Sequence, residues 1–182
     1  MKRILIILSV LLLGVYAQAQ FTKATLQASG LTCAMCNNAI YKALKALPFV
    51  ESVDSDIKNA AFTIAFKQNT VVEIDAIKNA VEDAGFSVAS FSITGHFSNI
   101  SIGNDKHVAI GDRHFHFLKV NEQVLNGEKT LTIVDKDFLT AKNFKKFAAA
   151  TKKPCIQTGK ADAACCTKEG VKANERIYHV TI

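Results

Sequence analysis

The sequence predicts an α+β protein: a β-α-β-β-α-β unit of the ferredoxin-like, split βαβ kind over residues 22–93, then a small mostly-β domain over 95–182, expected as an OB-like barrel. Three features carry that expectation. Short runs alternate apolar and polar residues, as half-buried strands do. Two stretches instead repeat apolar residues at helical spacing, Ile40-Ala43-Leu44-Leu47 and Ile74-Ile77-Val81-Ala84. Beyond Gly95, the expected boundary, short strand-like runs divided by turn residues take over.

In order, Phe21–Ser29 reads as a strand with Leu26 and Ala28 on one face. Gly30 to Cys36 is a loop entering a helix that runs to Leu47, where Pro48 ends it. Val50–Ile57 and Ala60–Lys67 form a strand pair turning at Lys58-Asn59, with Phe62, Ile64 and Phe66 on the buried face. Gly85 stops the second helix, and Phe86–Ile93 closes the unit. The second half offers strands at Phe97–Ile102, His107–Ile110, His114–Val120 and Lys129–Val134. A helix over Asp137–Thr151 follows, striped by Phe138, Ala141, Phe144, Phe147 and Ala148. A polar, cysteine-bearing stretch from Lys152 to Asn174 leads to a last strand, Arg176–Ile182.

The first 19 residues are expected to be a cleaved signal peptide. Lys2 and Arg3 precede a largely apolar run from Ile4 to Val15, and Ala17-Gln18-Ala19 has the small-x-small form of a cleavage site. That run is short for a membrane span, which takes about 20 residues. The expected location is therefore periplasmic or secreted, with no stable membrane insertion after cleavage. Lys+Arg number 22 against 16 Asp+Glu, so losing a leader with two cations and no acid lowers the net charge from +6 to about +4. The cations are scattered rather than interleaved with aromatics, and nucleic-acid binding finds no support.

Five cysteines remain in the mature chain: Cys33, Cys36, Cys155, Cys165 and Cys166. An exported protein can use them as bridges or as ligands. Cys33 and Cys36 form a Cys-x-x-Cys pair where a loop meets a helix start, a place with free N–H groups and partial positive charge that favours anions. Paired thiolates there are soft ligands suited to Cu(I), which accepts two sulfurs, whereas structural zinc takes four ligands. A bare Cys-x-x-Cys also serves as a structural disulfide or a redox pair.

The run Gly30-Leu31-Thr32-Cys33-Ala34-Met35-Cys36, with Val81-Glu82-Asp83-Ala84-Gly85-Phe86 downstream, resembles the heavy-metal-associated domain family. That family includes copper chaperones, modules of copper-transporting ATPases and the periplasmic mercury-binding protein. The resemblance covers about residues 22–93. It implies Cys33 and Cys36 as metal ligands, Cu(I) as the ion with Hg(II) or Zn(II) as alternatives, and a metal-transport protein as partner. It also implies that Thr32 shapes the loop, that Leu31 replaces the family's buried Met beneath it, and that Phe86 packs close by. Met35, between the ligands, is expected to face solvent.

For the second half no family resemblance is found. His114 and His116 share a strand face, and Cys155, Cys165 and Cys166 lie in the polar stretch. They form either a second soft-metal site or, as the favoured expectation, a solvated histidine face beside a disulfide from Cys155 to Cys165 or Cys166. His96, His107 and His179 read as ordinary surface residues. A metal carrier, a thiol oxidoreductase and an interaction protein are the three functions considered. The first is favoured, and no enzyme is expected, because no Ser/His/Asp set, phosphate loop or carboxylate pair is found.

Overall fold

The computed structural model describes residues 20–31, 34–162 and 166–182. The leader, Thr32, Cys33 and Cys165 lie outside the described residues. Eight strands form one sheet: β1 (Gln20–Ser29), β2 (Val50–Asp56), β3 (Ala61–Phe66), β4 (Ser87–Ile102), β5 (Lys106–Ile110), β6 (Arg113–Phe117), β7 (Gln123–Ile133) and β8 (Ile177–Thr181). Their spatial order is β2-β3-β1-β4-β7-β8-β6-β5. The first four strands, with helices α1 (Ala34–Lys45) and α2 (Ile74–Asp83), make the expected ferredoxin-like unit.

Both helices form where the apolar stripe predicts them. Helix α1 buries Ile40 and Leu44 and carries Lys42 and Lys45 in its last turn, where cations favour the helix dipole. Helix α2 buries Ile74, Ile77 and Val81. Its end is a Schellman turn: Gly85 takes φ +87°, its N–H donates to Glu82 O at 2.8 Å, and the Phe86 N–H donates to Val81 O at 3.1 Å. This turn delivers Phe86 to the start of β4.

Beyond residue 93 the architecture departs from expectation. The closing strand and the run Phe97–Ile102 are one strand, β4, and Gly95 lies inside it, opposite both Phe21 and Lys129. Among the described residues the sheet is open, with β2 and β5 at its edges, rather than closed as an OB barrel. The last strand, β8, inserts between β7 and β6, antiparallel to the first and parallel to the second. The expected long helix is shorter, α3 (Ala141–Ala148), and the cysteine-bearing stretch contains a one-turn helix, α4 (Cys155–Thr158).

One apolar core runs through both halves. The sheet curls so that Phe21 of β1 meets Phe115 of β6, ring centroids 6.2 Å apart, although β4, β7 and β8 lie between those strands. Phe115 also contacts Tyr178 at 5.8 Å. A polar clamp reinforces the join. Arg176, at the start of β8, donates to both Asp75 oxygens of α2 at 2.9 and 3.0 Å and lies 2.8 Å from Asp135 Oδ2. Burial alone raises Asp75, but the Arg176 bonds outweigh it and hold the carboxyl below its ordinary value. Because Asp135 is buried, Arg176→Ala strands a charge. It is expected to cost on the order of 2–3 kcal/mol, discounted from a fully buried pair because the guanidinium is partly exposed. Urea unfolding checks this, and a loss under about 0.5 kcal/mol, the range of an ordinary surface substitution, contradicts it.

Candidate metal site

The N-terminal site is built on the turn from β1 into α1. Gly30 takes φ +85°, the left-handed conformation that lets the chain leave the strand, and a Cβ placed there would meet Phe86 Cδ1 at 4.0 Å. Phe86 therefore stands beside the loop, half-buried and packed on the main core. Leu31 is also half-buried against that core. Cys36 occupies the first turn of α1 and is half-buried. Met35 is 83% exposed, as expected of a side chain facing solvent. Cys33, the expected second ligand, lies outside the described residues.

The second half holds a cluster that includes His116 and Cys155, named above as candidates for a second soft-metal site, together with two histidines, His107 and His179, that read from sequence as ordinary surface residues. His107, His116 and His179 occupy three neighbouring strands at directly paired positions, His107 opposite His116 and His116 opposite His179. Pairing of this kind puts all three side chains on one face of the sheet. Cys155, on α4, covers that face. Its Sγ lies 3.4 Å from His179 Nε2, 3.6 Å from His107 Nε2 and 3.9 Å from His116 Nδ1. The other nitrogen of each ring meets a carboxylate: Glu169 for His107, Asp105 at 2.9 Å for His116, and Asp135 for His179.

His107 and His179 are thus not surface residues. Their side chains are 1% and 0% exposed, and His116 is fully buried too, instead of sharing a solvated face with His114. His114, two residues away, pairs with Glu175 at 3.1 Å near the surface. Burial, aided by the neighbouring imidazoles, pushes His116 down to about 3, and burial likewise lowers His107. Burial raises Glu169, but hydrogen bonds from Lys153 and His107 outweigh it and hold the carboxyl down to about 2. Cys166 joins Cys155, Ala161, Val171 and Ile177 in a small buried cluster, yet no disulfide joins Cys155 to Cys166, contrary to one of the two expected pairings. The other partner, Cys165, lies outside the described residues.

Comparison with known proteins finds likeness in the first half. A probable copper-transporting ATPase HMA5 of Arabidopsis thaliana is 34% identical over 68 residues, 37% of this chain. The chain spans only 7% of that relative's length. Among solved structures, a CopZ metallochaperone is 26% identical, with a TM-score of 0.35 over 37% of this chain and 100% of that one. Oxidized MerP from Ralstonia metallidurans CH34 is 25% identical, with a TM-score of 0.34 over 38% and 97%. Residues 25–87, which include both Cys33 and Cys36, match the sequence model of the heavy-metal-associated domain.

Proposed function

We propose that this is an exported soft-metal carrier that binds one Cu(I) between the thiolates of Cys33 and Cys36 and passes it to a metal-transport partner. The observation that carries the reading is a Cys-x-x-Cys whose second cysteine sits on the first turn of α1, within the matched residues. Soft thiolates select Cu(I), two sulfurs suffice for it, and the helix start adds favourable potential. The name of the Arabidopsis relative supports copper over Hg(II) or Zn(II). Transport by that relative is not carried over, because the chain spans only 7% of its length. Export, to the periplasm or outside the cell, rests on the leader's charge, apolar run and small-x-small end.

Binding, not catalysis, is the proposed role. Titration of reduced mature protein against a Cu(I) chelator is expected to give one tight site at the N-terminal unit. Failure to compete for copper, together with insulin reduction at a thioredoxin-like rate, would point to an oxidoreductase instead. Copper should also shield the thiols. Cys33 and Cys36 are expected to alkylate readily in the reduced apo protein and to resist alkylation once one equivalent of Cu(I) is added. Peptide mapping reads the difference, and equal labelling in both states contradicts the site.

A further inference from the structure

We infer that His107, His116, His179 and Cys155 form a second, separate metal site that takes one zinc-class divalent ion in a four-coordinate His3Cys arrangement. Each imidazole uses one nitrogen on a carboxylate: Glu169, Asp105 or Asp135. Ionised carboxylates only accept, so that ring nitrogen carries the hydrogen and the inward nitrogen of a neutral ring carries a lone pair. Three lone pairs therefore converge on one sulfur that bears at most one proton. A cation satisfies all three together with a thiolate. The carboxylate-to-histidine contacts are those that orient histidine ligands and fix their tautomers in metal sites.

Distances agree. A tetrahedral ion with metal–sulfur and metal–nitrogen bonds of about 2.3 and 2.0–2.1 Å sets sulfur and nitrogen about 3.5–3.6 Å apart. The three contacts to Cys155 Sγ are 3.4, 3.6 and 3.9 Å. The nitrogens of His107 and His116 and the Cys155 sulfur lie within 4.8 Å of one another; His179 Nε2 reaches the sulfur at 3.4 Å but stands outside that group of three, so binding has to draw the imidazoles inward around the ion. Three imidazoles with one thiolate suit Zn(II), while Cu(I) is served by two sulfurs alone. Binding releases the thiol proton to solvent. Glu169 at the β5 edge is 35% exposed on its side chain, so the site lies close beneath the surface.

Co(II), the spectroscopic probe for tetrahedral zinc sites, tests this in the reduced full-length mature chain. One equivalent should give a thiolate-to-cobalt charge-transfer band with intense visible bands, both bleached by Zn(II). The spectrum should persist in the Cys33→Ser/Cys36→Ser variant and vanish in His116→Ala. Because His116→Ala can perturb folding, Asp105→Asn is the second variant. Asp105 is half-exposed and touches only the outer ring nitrogen, and its loss should weaken Zn(II) by about 10–100-fold with the spectrum retained. Zn(II) should also protect Cys155 from alkylation. Weak octahedral bands, loss of the spectrum in the N-terminal double variant, or a Cys155 disulfide that persists under reductant with zinc present would each overturn the proposal.

Discussion

Replacing Cys33 and Cys36 together by serine is expected to abolish Cu(I) binding at the N-terminal unit and leave the fold intact. A hydroxyl is a hard, neutral donor and does not replace a thiolate on a soft ion. Losing both ligands should exceed the roughly 10–100-fold cost of disturbing an outer-shell partner, and the site should drop out of a competition titration altogether. The fold should survive because Cys36 lies at the start of α1, away from the buried Ile40 and Leu44 that anchor that helix. Circular dichroism checks the fold and a Cu(I) chelator checks the site. Unchanged tight binding in the double variant would move copper to the histidine cluster.

The second large effect is on stability. Phe115→Ala is expected to cost about 3–5 kcal/mol, the range for emptying a large buried aromatic position. Phe115 is fully buried, and its ring contacts both Phe21 on β1 and Tyr178 on β8. The cavity therefore opens where the two halves meet. With β4 running unbroken between them, unfolding should remain one transition at a lower urea midpoint. Two separated transitions, with the first half untouched, would contradict a shared core.

The first half was legible because its signals are local. Periodicity at Ile40-Leu44 and Ile74-Ile77-Val81 marks helices, Gly85 marks the Schellman end, and the Cys-x-x-Cys pair lies within four residues. The second half depends on pairing between distant segments. Nothing around Gly95 tells that the chain continues as one strand, because β7 supplies the partner from thirty residues onward. The OB-like expectation missed the open sheet: among the described residues β2 and β5 are the edge strands, and β8 lies inside it between β7 and β6. His107 and His116 face each other across the β5–β6 hairpin, but His179 comes from the far end of the chain and joins them only through register on β8. A hint existed for two of them: His116 lies between Phe115 and Phe117 and His179 between Tyr178 and Val180, strand settings where an unpartnered histidine is costly. His114 drew attention by its nearness to His116 and stands instead at the rim with Glu175.

X-ray absorption at the copper edge of the reduced mature protein loaded with one equivalent of Cu(I) tests the central claim most directly. A sulfur-only first shell of two scatterers with no imidazole signal is expected, both features being lost in the Cys33→Ser/Cys36→Ser variant. A nitrogen-containing shell with the outer scattering of histidine rings at that first equivalent would contradict it.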